Sequence, residues 1–213
     1  MDAAKQAVIK ANNITDGYVR AYCWRGSEMM AISAQQTTAH LAIAAWEWPS
    51  YFDPETKMKG ITLDIASWKR PSPESAPVHA KAAGLYMICT LAKHEAERKG
   101  FHDALMMDYR GYVAEATGAN VFFVDDAGVL HTPIADCFLN GITRQSVIAM
   151  AKSMQIEVIE RHIQPEELGS MRECFLTGTA AEVTPVSRIG DYQFTPGDFS
   201  RKMVEGYSAL VNA

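Results

Sequence analysis

Basic blocks, long apolar runs and paired cysteines are all missing from this chain. With no Lys/Arg cluster, the electrostatic footprint of a nucleic-acid binder is absent, and the formal net charge of the 213 residues is −5. The apolar runs at 41–46 and 84–92 fall far short of the roughly 20 residues needed to span a bilayer. The four cysteines (Cys23, Cys89, Cys137, Cys174) form no CxxC pair and have no nearby histidine at ligand spacing. That argues against zinc and disulfides and for reduced, buried thiols in a cytosolic protein. None of the six histidines shows metal spacing, so each reads as a core or surface residue. The N-terminus, MDAAKQAVIKANN, lacks a continuous apolar stretch and reads as a helix, so export is not indicated. No GxGxxG turn follows a strand, which argues against a nucleotide-binding Rossmann unit. There is no internal repeat and no low-complexity tract.

What remains is ordinary for a globular protein with a substantial core: 48% hydrophobic and 21% charged residues. Alternation predicts a strand over 18–24, with Val19, Ala21 and Cys23 on one face and Tyr18, Arg20, Tyr22 and Trp24 on the other. A second strand is expected over 39–48. Residues 51–61, with Asp53-Pro54 and several charges, read as a linker between a small part (1–50) and a large part (62–213). The prolines at 71, 73 and 77 delay the next helix to His79, and a long element from Ala80 to Lys99 is closed by Gly100. Strands are expected at 104–109, 112–115, 120–124 and 129–132, then a helix over 142–154 and a strand over 157–163. A short helix starting at Pro165, strands at 173–177 and 183–189, and a final helix from Phe199 complete the pattern. Hairpins mixed with helices indicate an α+β fold rather than a doubly wound sheet.

Four segments carry candidate chemistry. Lys81 lies in His79-Ala-Lys-Ala-Ala-Gly-Leu-Tyr86, in the first turn of the expected helix, where the dipole disfavours a cation and a partly buried amine loses its proton more readily. Ala82, Ala83 and Gly84 leave room for a flat ligand, and Tyr86 can bring its hydroxyl close. Taken alone, a solvated lysine at a helix start is the plainer reading. Glu115 ends an apolar strand in Tyr112-Val-Ala-Glu-Ala-Thr-Gly-Ala-Asn120, where a strand-end glutamate facing solvent is the plain alternative. Gly118 is expected to serve backbone geometry, and Asn120 to cap a turn or order the loop. Asn140-Gly-Ile-Thr-Arg144 opens a helix, whose free N–H groups attract anions, and Thr143 adds a hydroxyl. Thr177-Gly-Thr-Ala-Ala-Glu182 follows a buried strand with small residues that let backbone N–H groups face a ligand. Each of these last two is as compatible with an ordinary cap or turn.

Together, and in this order, these segments resemble the successive motifs of the fold-type IV aminotransferases. The Thr-Gly-Thr-Ala-Ala-Glu wording, with Tyr18-Val-Arg20, is most similar to the branched-chain amino-acid aminotransferases. The resemblance implies a D-amino-acid aminotransferase-like fold with a small α+β domain and a larger α/β pseudo-barrel domain. It implies pyridoxal 5'-phosphate as cofactor, with Lys81 as the Schiff-base lysine that also moves the substrate proton. Glu115 pairs with the pyridine nitrogen, Tyr86 with the phenolic oxygen, and Asn120 belongs to the same cofactor-binding set. Ile142, Thr143 and Thr179 hold the phosphate. Tyr18, Arg20 and the Thr179-Ala180 turn handle the substrate carboxylate, and Tyr51 lines the side-chain pocket. The implied reaction passes the amino group of a branched-chain L-amino acid to 2-oxoglutarate in a homodimer or larger homo-oligomer.

The resemblance has one gap. Members of the family begin with a longer small domain, including a Gly-Ile-Arg motif whose arginine binds the phosphate, and no counterpart precedes Tyr18. Residues 1–50 are therefore expected to expose strand edges and apolar surface. A mis-assigned start, proteolytic loss or a fragment, and a genuinely short protein are the competing explanations. An inactive cofactor-binding remnant, a D-amino-acid aminotransferase and an aminodeoxychorismate lyase are the alternatives to the branched-chain activity.

Overall fold

The computed structural model describes residues 1–48 and 57–212. The chain divides into two units, Met1–Tyr51 and Phe52–Ala213. In the first, helix α1 (Asp2–Ala11) precedes an antiparallel pair, β1 (Tyr18–Arg25) and β2 (Ala39–Trp46), in register from Tyr18 opposite Trp46 to Arg25 opposite Ala39. The alternation of β1 gathers two aromatic groups beside that ladder. The Tyr18 ring lies 5.2 Å from Trp46 and 5.4 Å from Trp48, while Trp24 stacks on Tyr22 and on His40 at 5.4 Å each. Tyr22, Trp24 and Leu41 remain about half exposed. Cys23 is exposed as well, so the expectation of buried thiols holds only for Cys89, Cys137 and Cys174.

In the second unit, runs such as Val121-Phe-Phe-Val124 and Cys174-Phe-Leu176 become strands buried on both faces, as uninterrupted apolar stretches should. Its strands are β3 (Ile61–Ile65), β4 (Asp103–Met107), β5 (Val113–Ala116), β6 (Asn120–Asp125), β7 (Leu130–Pro133), β8 (Val158–Arg161), β9 (Met171–Gly178), β10 (Glu182–Ile189) and β11 (Tyr192–Gln193). They pair in the order β11-β10-β3-β4-β5-β6-β7-β8, and β9 pairs with both β6 and β10. That double pairing closes β3, β4, β5, β6, β9 and β10 into a ring, with β7-β8 and β11 as extensions. Every ring strand sends side chains to one shared core, among them Leu63, Leu105, Ala116, Val121, Leu176 and Val186. This cluster is the interior of the barrel.

The opposite strand faces point outward and are covered by helices. Helix α2 (Tyr86–Arg98) lays Cys89, Ala92 and Ala96 on Ala104 and Met106 of β4. Helices α3 (Ile142–Ser153) and α4 (Asp198–Val211) cover Phe122, Val124 and Phe175 of β6 and β9. Helix α2 stops where glycine permits: Gly100 takes φ +84°, its N–H reaches Glu97 O, and the N–H of Phe101 reaches Ala96 O. Among the described residues no helix is long and apolar enough to cross a membrane.

Two local expectations are corrected. The segment 77–80 forms a turn, with the N–H of Ala80 on Pro77 O, and Ala82 is extended at φ −86°, ψ 132°. The helix therefore begins later than expected, as a 3-10 turn at Ala83–Leu85 followed by α2, and Lys81 precedes it. At Gly118 a β-carbon would meet nothing within 4 Å, so its spacious turn makes no demand for glycine.

Helix α4 is anchored by a side chain from the barrel. The buried Glu173 carboxylate on β9 accepts the N–H groups of Gly197 and Ser200 at 2.9 and 2.8 Å, satisfying two donors at the helix start. Glu173→Ala strands both, and a loss of about 2 kcal/mol in urea unfolding of the second unit is expected. Glu173→Gln, which keeps one acceptor oxygen, should lose clearly less.

Candidate active site

The strand register places three polar side chains in one row. Glu115 on β5 faces Asn120 on β6, which faces Thr177 on β9. Their neighbours Ala116, Val121 and Leu176 point into the barrel, so the row stands on its outer face. Helix α2 covers β4 on one side of this row and α3 covers β6 and β9 on the other. Glu115 thus lies in the gap between two helices, 9% exposed rather than solvated.

Asn120 ties the row to α3. Its Nδ2 donates to Glu115 Oε2 at 3.3 Å and to Leu139 O at 3.0 Å, and its Oδ1 accepts the N–H of Gly141 at 3.2 Å. Gly141 is the N-cap of α3, and a β-carbon there would collide with Asn120 Oδ1. Glycine is thus fixed by the close approach of a side chain, with an ordinary φ of −62°. Beyond it, Ile142 is exposed, while Thr143 is buried with its Oγ1 3.4 Å from Tyr207 Oη. Arg144 is fully buried and pins this helix start from below, through Asn140 Oδ1, Pro133 O and Glu160 Oε2 at 2.8–2.9 Å.

On the other side of Glu115, the Lys81 ammonium sits 5.6 Å from the centre of the Tyr86 ring. Lys81 is exposed, and it precedes the first helical turn instead of lying inside it. The argument from the helix dipole falls with the later helix start. Burial pushes the Glu115 carboxyl up to about 8, against the pull of Arg70 and Lys81. Sequence reading does not single out Arg70: in Trp68-Lys-Arg-Pro71 it has the look of a solvated charge, yet it is 4% exposed with Nε 3.3 Å from Glu115 Oε1.

The Thr177-Gly-Thr-Ala-Ala-Glu182 segment is the turn joining β9 to β10. Thr179 and Ala180 are exposed at its tip, and Glu182 adopts φ +52° while pairing with Lys57 at 2.9 Å. A left-handed glutamate at a turn is the kind of local strain found beside binding sites. The Thr177 hydroxyl is buried at the end of the polar row without a hydrogen-bond partner. Lys81, Tyr86, Glu115, Asn120 and the 142–143 helix start thus come together within the second unit. Tyr18 and Arg20 lie on β1 of the first unit, Arg20 exposed opposite Ala44. Tyr51 lies outside the described residues.

Residues 2–189 match the family described as amino-transferase class IV. The chain belongs to the class IV aminotransferases. It is 44% identical to the probable branched-chain-amino-acid aminotransferase of Rickettsia conorii over 186 residues, covering 87% of this chain and 62% of the relative. It is also 34% identical to the branched-chain-amino-acid aminotransferase of Pseudomonas aeruginosa, over 100% of this chain and 70% of that one. The chain therefore spans about three fifths of the Rickettsia conorii relative's length. Among solved structures, the branched-chain amino acid aminotransferase of Escherichia coli superposes with a TM-score of 0.92 at 35% identity, covering 97% of this chain and 69% of that one. An aminotransferase from Brucella abortus bound to the cofactor PLP gives 0.85 at 30% identity, covering 99% and 76%. The fold is that of the fold-type IV enzymes, with the closed ring as its large barrel.

The displaced ionisation of Glu115 generates a pH signature. Its folded value lies above the ordinary 4.5, so between about 4.5 and about 8 the folded state binds one more proton than the unfolded state. Stability should fall as pH rises through that window, by up to about 1.4 kcal/mol per pH unit from this group. Comparing urea midpoints of wild type and Glu115→Gln from pH 5 to 8.5 checks this: the variant should lose that downward slope, and parallel curves would refute it.

Proposed function

We propose that this chain carries the pyridoxal 5'-phosphate site of a branched-chain amino-acid aminotransferase. The reaction moves the amino group of leucine, isoleucine or valine to 2-oxoglutarate, giving a branched 2-oxo acid and glutamate. The observation that carries this reading is the arrangement around Glu115. An amine and a phenol stand on one side of a buried acid, a helix N-terminus stands on the other, and Asn120 touches both the acid and the helix.

The residues present fit such a cofactor. A buried carboxyl and an unpartnered buried Thr177 hydroxyl are polar groups left with hydrogen-bonding capacity, and such groups call for a ligand. The small residues 82–84 beside Lys81 admit a flat ring, with open space at Gly84. The free N–H groups at the start of α3 suit an anionic tail.

Bound here, the pyridine ring would supply a sink for the electrons released when the substrate Cα gives up its proton. Lys81 would hold the cofactor through its amine, then accept the Cα proton at Nζ and deliver it to C4′. Glu115 would keep a proton at the ring nitrogen, and the Tyr86 hydroxyl would donate to the phenolic oxygen. The N–H groups of Ile142 and Thr143, with the hydroxyls of Thr143 and Thr179, would hold the phosphate. Tyr18, Arg20 and the Thr179-Ala180 turn would orient the substrate carboxylate, Tyr51 would line the side-chain pocket, and the working form would be a homodimer or larger homo-oligomer.

The test is incubation with pyridoxal 5'-phosphate, leucine and 2-oxoglutarate. Glutamate should form, and a visible absorbance band reducible by borohydride should appear and be absent in Lys81→Ala. Glu115→Gln should keep the band but slow turnover by about a hundredfold or more, because the ring nitrogen is no longer held protonated. A wild-type chain with no reducible band would refute the reading. A band without glutamate would instead indicate a cofactor-binding module. A panel of D-amino acids and of aminodeoxychorismate would separate the branched-chain activity from its relatives on the same fold.

A further inference from the structure

Arg70 is absent from the roles assigned above, yet it is the most confined charge near the site. Its Nη1 donates to Leu85 O at 3.4 Å and to Cys89 Sγ at 3.3 Å, both from the element that follows Lys81. Its Nε lies 3.3 Å from Glu115 Oε1 with no directed hydrogen bond, and its backbone is held to β4 through Met107 O. Among the described residues, Glu115 is the one carboxylate within ion-pair distance of Arg70.

Three titratable or charged groups face Glu115 from the elements packed around it. Arg70 comes from the segment after β3, Lys81 from the segment before α2, and Cys89 from α2 itself. Asn120 on β6 and Met106 on β4 are neutral. Burial pushes the Cys89 thiol up, so near neutral pH it carries no charge. Lys81, on the reading above, is engaged by the cofactor through its amine. Among the described residues Arg70 is the cation within ion-pair distance of Glu115, and a guanidinium cannot give up its proton.

We propose that Arg70 is a positioning residue whose fixed charge lets Glu115 hand its proton to the ring nitrogen of the cofactor. With the cofactor bound, the proton would leave the Glu115 carboxyl for the pyridine nitrogen, and the resulting carboxylate would be held between Arg70 on Oε1 and Asn120 on Oε2. Without Arg70 that carboxylate would be a buried anion with no ion-pair partner among the described residues, and the proton would stay on Glu115, leaving the ring a poorer sink. The inference rests on the cofactor reading for its last step and on this chain's own geometry for the rest.

The experiment separates the two. In the cofactor-free chain, the Glu115 carboxyl carbon is followed by NMR against pH, its signal assigned by its absence in Glu115→Gln. The midpoint should rise by at least about one pH unit in Arg70→Gln and stay within about half a unit of wild type in Arg70→Lys. An unchanged midpoint in a folded Arg70→Gln overturns the proposal. If Arg70→Gln does not fold, the wild-type Arg70 Nε–H resonance decides: it should titrate with the Glu115 midpoint, and a resonance indifferent to pH overturns the proposal. With ring-15N pyridoxal 5'-phosphate bound, the ring nitrogen should be protonated in wild type and Arg70→Lys and unprotonated in Arg70→Gln; a protonated ring in Arg70→Gln also overturns it. Failure of wild type to bind the cofactor would count against the functional reading, while the cofactor-free titration would still judge Arg70.

Discussion

Everything distinctive about this site passes through the side-chain amide of Asn120. One of its ends holds the Glu115 carboxylate and the other holds the N–H of Gly141, so a single planar group fixes the distance between a buried acid and a helix N-terminus. An amide suits this task because it donates on one side and accepts on the other. A carboxylate at position 120 would have no N–H to give Glu115 and Leu139, and a hydroxyl would be too short to reach both Glu115 and Gly141. The glycine at 141 follows from the same contact, since any side chain there would displace the amide oxygen.

The barrel supplies the platform for that contact. Strand residues alternate between the interior and the outer face, and the outer face is covered by α2 over β4 and by α3 and α4 over β6 and β9. The strand between them, β5, is buried at all four residues, and Glu115 sits low between the helix layers, desolvated enough to resist ionisation while Lys81 and Arg70 pull the other way. Its hydrophobic surroundings and its two polar neighbours work in opposite directions on its proton, and this balance makes the acid chemically useful.

Much of this is legible in the sequence, for reasons that differ by element. The ring strands announce themselves because runs such as Val121-Phe-Phe-Val124 are apolar on both faces, and the helix ends at Gly100 and Pro165 carry their own punctuation. The motif segments around Lys81, Glu115 and Gly141 mark residues that the fold brings together, because short spacing and strand register are enough to do so. The start of α2 misleads because residues 80–82 are good helix formers, and only the hydrogen bond from Ala80 to Pro77 spends them in a turn. Arg70 is invisible because its burial depends on α2 closing over it and on an acid two strands further along the chain. Ring closure is invisible too, since pairing β9 with two partners leaves no local trace.

That closure has a consequence for how the chain comes to exist. Strand β3 must wait for β10: Ser187 hydrogen-bonds back to Gly60 across 127 positions, and Ile61 pairs with Val186. Contacts of such long sequence separation form late, after the loop entropy between them has been spent. During synthesis, most of the polar row has already emerged while β3 still presents a bare edge to its surroundings. The turn at 179–180 takes its place only when the last strands arrive. A ribosome-bound chain is thus vulnerable along β3 for most of its translation, and the timing of β10 sets when that vulnerability ends.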